Sequence, residues 1–294
     1  MPSWQGKSKG SKLGYRIFVW TIRNAGILPA YFLLRFVAFY YVLFSTGSSV
    51  PVYNLLHKKL GYSRWTSLVK LYKNYLYFGQ SLIDKVVILS EMNHPFRVQF
   101  EGEENLRKIA SLDRGALLLS AHIGNWDMAG HLLKRIGVRV NIVMFDGEQQ
   151  AIKEYLDKVS GKTNATIILI KNDLSHIYQI NDALKNKEWV CMHADRWLAG
   201  NKTLTAPFLG EDARFPAGPF ILAYKFKVPV SFVFAIKESN LQYHFFASEM
   251  KAYRQEEKET GIRNMLNDFS VEMEKKVKAY PEQWFNYYNF WETK

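Results

Sequence analysis

The segment Ser120-Ala121-His122-Ile123-Gly124-Asn125-Trp126-Asp127 sets an imidazole five positions before a carboxylate. An acid that holds an imidazole in one tautomer leaves the other ring nitrogen free to take a proton from a hydroxyl. The surroundings favour that chemistry. Leu117–Leu119 reads as a buried strand, Gly124 and Asn125 turn the chain, and Asp127 falls in the first turn of a helix, where the macrodipole favours an ionised carboxylate. Ligand sites in α/β sheets lie at such carboxyl strand ends. Spacing alone does not decide, because His244 and Glu249 have the same separation. His244 belongs to the alternating stretch Tyr243-His244-Phe245-Phe246 with no glycine turn behind it, and reads as a strand histidine. The plainer alternative for His122 is a core or turn histidine capped by Asn125.

Other reaction classes lack their signatures. Gly6-Lys7-Ser8 has no glycine five residues upstream, as a phosphate-binding loop requires, and no G-x-S-x-G elbow or zincin spacing occurs. One cysteine, Cys191, excludes an intrachain disulfide and a Cys-based zinc site, and its apolar strand makes it a core residue. A reducing, cytosol-facing location is then the default. His193 shares the strand as a core or supporting histidine. Arg196 follows it, either facing the site as an anion contact or pairing with Asp195 on the surface. Arg214 is a loop charge or a second phosphate contact, and the Trp284–Trp291 aromatics read as packing or as an interfacial belt.

The elements that must position these residues change character along the chain. Leu13–Leu89 is helical and aromatic, with Tyr53, Tyr62, Trp65, Tyr72, Tyr75, Tyr77 and Phe78 interleaved with lysines. After Phe96, short apolar runs alternate with helix-length segments. Phe96–Phe100, Ala116–Ala121, Val138–Phe145, Thr166–Ile170 and Trp189–His193 are predicted strands; Glu103–Ser111, Asn125–Ile136, Gln149–Val159 and Leu174–Asn186 are the helices between them. That rhythm predicts an α/β fold with a largely parallel sheet flanked by helices. Pro229–Ile236 and Leu241–Ser248 add two strands around a turn at Lys237–Asn240, and Glu256–Tyr280 is a long charged helix. With no linker or internal repeat, a membrane-associated helical region over 1–89 and an α/β domain over 90–294 read as one structural unit.

Charge and apolar content point to the partners. The net charge of +12 predicts an anionic partner: nucleic acid, an acidic protein or an anionic membrane surface. The load of 8 Trp, 17 Tyr and 20 Phe suits a protein whose rings meet a membrane interface. Ala25–Phe44 carries one charge, Arg35, over a length that could span a bilayer. Pro29 interrupts it, and basic residues flank it on both sides, Lys7 to Arg23 before and Lys58 to Lys73 after. The positive-inside rule would place both flanks on one side, which favours an interfacial or re-entrant anchor over a single membrane helix. The basic–aromatic interleaving also matches single-strand nucleic-acid binders; its junction with the apolar run makes a membrane-facing region the simpler reading.

Ser120–Gly130 resembles the H-x4-D/E block of the glycerolipid acyltransferase superfamily. Further blocks follow in order: Trp189–Arg196, Ala206-Pro207-Phe208-Leu209-Gly210, Ala213, Pro216-Ala217-Gly218-Pro219, Leu222-Ala223, Pro229-Val230 and Tyr280-Pro281-Glu282-Gln283-Trp284. Together they resemble the bacterial lipid A biosynthesis acyltransferases and their mannoside-acylating relatives, from about His94 to Trp291. The resemblance implies a glycerolipid-acyltransferase-like α/β fold and transfer of a fatty acyl chain from an acyl-carrier-protein (ACP) or coenzyme A thioester to a hydroxyl of a membrane lipid. It needs no metal or bound cofactor. His122 and Asp127 correspond to the catalytic dyad; Asn125, Arg196, Arg214 and Gly218 correspond to substrate-binding positions. Phe215–Gly218 departs from the F-P-E-G block, with Ala217 in the place of glutamate, and Asn125-Trp126 is closer to the mannoside-acylating branch. A lipid A precursor is the first acceptor implied; an amino-acid lipid, glycolipid or lysophospholipid is the alternative. The implied location is the cytoplasmic face of a bacterial inner membrane, and nucleic acid is not an expected partner. A non-catalytic basic membrane or nucleic-acid binder is the competing class, against which the intact His122/Asp127 pair stands.

Overall fold

The structure, a computed structural model, describes residues 12–89, 96–126, 136–145, 165–171, 173–197, 200–253 and 257–291. Four helices come first: α1 (Lys12–Ala25), α2 (Ile27–Phe44), α3 (Thr46–Asn54) and, after a π turn at Leu55–Lys59, α4 (Arg64–Leu89). Next along the chain are β1 (Arg97–Glu101), α5 (Glu103–Ser111), β2 (Ala116–Ser120), β3 (Val140–Phe145), β4 (Ala165–Ile170), α6 (Ser175–Lys185) and β5 (Trp189–His193). Then come β6 (Thr203–Phe208), β7 (Glu211–Pro216), α7 (Ala217–Phe226), β8 (Val230–Ser239), β9 (Gln242–Ala247) and α8 (Lys258–Ala279).

Among the described residues, seven strands form one sheet in the order β1-β9-β8-β2-β5-β3-β4, parallel at every pairing except the β8/β9 hairpin. Parallel strands are covered on both faces, which is why β2 reads as an unbroken apolar run with all five residues buried. One face packs on α1, α2, α4 and α5 through Tyr31, Leu34, Ile83, Leu106 and Ile109. The other packs on α7, α8 and the C-terminal segment through Phe220, Phe269, Met273, Trp284 and Phe290.

The predicted strands and α5 form within a few residues of their expected bounds. Two departures have physical causes. Lys237 was expected in a turn, yet β8 runs on through it to Ser239 with a bulge. Its amine is buried on the Asp84 carboxylate, so a charged residue sits inside the sheet. The β6/β7 ribbon and α7 were not predicted; the ribbon holds Pro207 and Pro216, which a two-stranded antiparallel pairing tolerates at positions that donate no ladder bond. Most of Asn125–Ile136 and all of Gln149–Val159 lie outside the described residues.

α2 is long and apolar enough to cross a membrane, yet five of its eighteen residues, Ile27, Ala30, Tyr31, Leu34 and Ala38, are buried. They pack it against α4 and the sheet face. Phe32, Phe36, Phe39, Tyr40, Leu43 and Phe44 point outward and are exposed.

Candidate active site

The site is built by strand register. β2 and β5 run parallel with Ser120 opposite His193, and the ladder continues one step as Ala194 N–H donates to Ser120 O at 2.9 Å. His122 and Asp195 each lie two residues past these partners. The register therefore brings them side by side at the carboxyl edge of the sheet. His122 donates twice to one carboxylate: its backbone N–H to Asp195 Oδ2 at 3.0 Å and its ring Nδ1 to Oδ1 at 2.7 Å. Both residues are buried.

Burial alone would raise the Asp195 carboxyl, but the charge and hydrogen bond of His122, and the Arg196 guanidinium, hold it well below the usual carboxylate range. An ionised carboxylate only accepts, so Nδ1 carries a proton, and in the neutral ring the lone pair then lies on Nε2. This is the tautomer a general base needs.

The remaining walls are aromatic. Trp126 meets the His122 ring edge-on at 5.2 Å between centroids, and the His193 ring lies 4.2 Å away, tilted by 32°. Burial, followed by the charges of His122 and Arg196, holds His193 well below the usual imidazole range. Its buried Nδ1 has no hydrogen-bond partner among the described residues. His122, His193 and Asp195 have ligand atoms within 4.8 Å of one another and could close on a cation. Both Asp195 oxygens, however, already accept from N–H donors, which suits proton transfer better than metal binding.

Gly124 shapes the loop after His122. Its φ of 68° lies in the left-handed region, and a Cβ there would collide with the Ala235 carbonyl oxygen on β8. This close approach lets Asn125 N–H donate to Ala235 O at 2.7 Å. Asn125 itself is buried, and its amide donates to Tyr243 Oη at 3.0 Å. It thus joins a buried polar cluster in which Asp84 of α4 accepts from Lys237, Tyr243 and Tyr31. Expected to contact substrate, Asn125 is placed as a clamp between the His122 loop and the helical layer.

Asp127 lies outside the described residues. The orienting contact that the sequence gives to Asp127 is made in the structure by Asp195, which sequence reasoning treated as no more than a surface partner of Arg196. Its signal was available: His122 and Asp195 each follow the end of a predicted strand within two residues. Arg196 is half-buried and donates to the Phe285 carbonyl. Arg214 is half-buried on β7 opposite Thr205, and Gly218 is exposed in the first turn of α7. Their ribbon–helix unit reaches the site through Phe208 and Phe215, packed on Trp284 and Phe290. His244 sits on β9, stacked on Phe246 between Glu101 and Glu238 at 3.6 and 3.5 Å, as a strand histidine should.

Residues 72–293 match the family model of the bacterial lipid A biosynthesis acyltransferases. Two curated proteins from Mycobacterium tuberculosis, from strains H37Rv and CDC 1551, are both named phosphatidylinositol mannoside acyltransferase. Each is 28% identical over 123 residues, 42% of this chain. The match spans 39% of the relatives' length. Among solved structures, the 1-acyl-sn-glycerophosphate acyltransferase PlsC of Thermotoga maritima aligns over 85% of this chain and 97% of its own, with a TM-score of 0.41 and 14% identity.

Proposed function

From the premise that this chain belongs to the bacterial lipid A biosynthesis acyltransferase family, shown by the match over residues 72–293, we propose that it moves a fatty acyl chain from an acyl thioester to a hydroxyl of a membrane lipid. The observation that carries the reading is the 2.7 Å bond between His122 Nδ1 and Asp195, which leaves Nε2 as the base. Nε2 takes the proton of the acceptor hydroxyl as its oxygen attacks the thioester carbonyl. The tetrahedral intermediate collapses with cleavage of the C–S bond. The imidazolium returns its proton to the departing thiolate, giving an ester and a free thiol. Asp195 stabilises the imidazolium in between. Asp127, the acid of the H-x4-D block, is the second carboxylate proposed to serve His122. The thioester supplies the driving force, so the chemistry needs no resident cofactor.

The donor is an ACP or coenzyme A thioester, both acidic, which the net charge of +12 suits. Arg196, Arg214 and Gly218 are its candidate contacts. The acceptor is a lipid A precursor, as the family implies. The mannoside-acylating relatives and the Asn125-Trp126 pair favour a glycolipid as the alternative.

The protein works from one face of the membrane, the cytoplasmic face of the inner membrane. α2 packs along α4, which exposes Arg64 and Lys73 and buries Asp84. Driving α2 across a bilayer would drag these charges into hydrocarbon. A monotopic seat on the outward Phe32, Phe36, Phe39 and Phe44 avoids that cost. The test is acyl transfer by purified protein in nanodiscs, with acyl-ACP or acyl-CoA and defined lipid acceptors, read by mass spectrometry. A new ester that His122→Ala does not form is expected. Equal product from His122→Ala would overturn the assignment.

A further inference from the structure

His122 is held from two directions, and Asp195 is one of them. The other is the chain's C-terminal segment, a short turn at Pro281–Gln283 followed by Trp284 and Phe285. Phe285 N–H donates to His122 O at 2.9 Å, and Gly124 N–H donates to Gln283 O at 2.8 Å. Between these bonds, Ile123 and Trp284 form an antiparallel bridge. The Trp284 indole N–H reaches Asp195 Oδ2 at 3.4 Å, and the Arg196 guanidinium closes on Phe285 O.

The segment is anchored at its far side as well. The Gln283 amide clamps the Lys237 backbone in both directions, accepting from its N–H at 2.9 Å and donating to its carbonyl at 2.8 Å. Asn74 of α4 donates to the carbonyls of Glu282 and Trp284 at 3.0 and 3.1 Å, and Lys70 of α4 pairs with Glu282 at 2.7 Å. α4 is the helix on which the apolar α2 packs.

We propose that Pro281–Phe285 is a positioning strap that sets the orientation and basicity of the His122–Asp195 pair, with Trp284 acting through Asp195 and Asn74 linking the strap to the membrane-facing helices. This rests on the reading of His122 as the base. Packing alone does not account for the arrangement. Trp284 is fully buried against Phe208, Phe290 and Trp291, where a purely apolar ring would serve. Its one polar atom is aimed at the carboxylate that orients His122. Three N–H groups then surround that buried carboxylate, two from His122 and one from the strap. Each shares its negative charge. Removing the strap's donor concentrates charge on His122, favours the imidazolium, and withdraws the base at low pH.

The test uses the full-length chain in nanodiscs. Trp284→Phe keeps a ring in the aromatic cluster and deletes the donor; Asn74→Ala acts from the far end and leaves every residue around His122 unchanged. Trp284→Phe is expected to lower kcat about ten-fold, the size of one charge-assisted hydrogen bond, and Asn74→Ala, which deletes only neutral bonds to backbone carbonyls, by a few-fold, both with the donor KM unchanged. In Trp284→Phe the acid limb of kcat/KM moves to higher pH. A second readout needs no substrate: the downfield proton resonance of His122 Nδ1–H, identified by its loss in His122→Ala, shifts in both variants. An unchanged acid limb and resonance, with a lower unfolding midpoint alone, would reduce the strap to packing. A fully active His122→Ala would instead refute the base reading, and the resonance would still report on the strap.

Discussion

Replacing Asp195 by Asn isolates the contribution of the carboxylate at nearly constant shape. Wild-type Asp195 accepts from Nδ1 at 2.7 Å and from the His122 backbone at 3.0 Å. The amide keeps one acceptor but loses the charge that stabilises the imidazolium, and its NH2 group can turn toward Nδ1 and select the wrong tautomer. Loss of a charge-assisted hydrogen bond, ~1.5–3 kcal/mol, gives one to two decades in rate at about 1.4 kcal/mol per decade. The tautomer effect extends this toward the ~10⁴-fold typical of Ser-His-Asp triads. Expected, then, is a 10²- to 10⁴-fold fall in kcat, roughly, with donor KM little changed, in the nanodisc assay. His122→Ala should be as severe and the double change no worse, because the pair acts as a unit. Asp127→Asn, run in parallel, weighs the second carboxylate and should cost less. An Asp195→Asn enzyme within a few-fold of wild type, beside a dead Asp127→Asn, would refute the argument from strand register. Stability supplies a further check. The folded-state Asp195 carboxyl is depressed, so its stabilising contribution is present above the ordinary carboxylate pKa of about 4 and is lost as pH falls through the folded value. The wild-type advantage in unfolding free energy over Asp195→Asn should shrink on acidification below that point.

Lys237→Met should destabilise the protein by ~3–5 kcal/mol in chemical denaturation, because it strands Asp84 in the interior. Adding Asp84→Leu should restore much of the loss; no recovery in the double variant would show that the cluster does more than neutralise itself. Gly124→Ala should cost at least ~1–3 kcal/mol, from its positive φ and the clash with Ala235 O, and should depress kcat with it; an active, equally stable variant would mean the loop is not held as described. Changing Phe32, Phe36 and Phe39 together to Ser should release the folded protein from vesicles in a flotation assay. Retention on the vesicles would move the membrane seat elsewhere. His244→Ala should leave the rate within a few-fold, since its partners are the edge carboxylates Glu101 and Glu238.

The sheet was legible because its strands are nearly unbroken apolar runs: Ala116–Ser120 and Trp189–His193 can only be covered on both faces. The place of His122 at the sheet edge was legible for a related reason, as the first polar ring after such a run, with a glycine turn behind it. Lys237 was misread, and the anchoring of Asn125 was not foreseen, because their neighbours are distant in sequence. Lys237 reads as a turn residue until Asp84, 153 positions away, is seen to neutralise it. The bond from the Asn125 amide to Tyr243, 118 positions away, is equally invisible in the sequence. Buried polar pairs leave no periodic trace, since each partner alone looks like a surface residue.

The orienting acid shows where local reading must stop. A motif supplies partners within one turn of chain, so Asp127 was the natural choice. A parallel sheet offers a second source, because neighbouring strands end at the same level and the residues just past them meet across the edge. Here Ser120 stands opposite His193, and the two-residue step to His122 and to Asp195 does the rest. The C-terminal segment enters by the same logic, bridging Ile123 with Trp284 along the far side of the loop. His122 thus follows one strand, its carboxylate partner Asp195 follows the neighbouring strand, and its backing comes from the C-terminal segment. Changes at Trp284 or Asn74 should therefore reach the chemistry without touching His122.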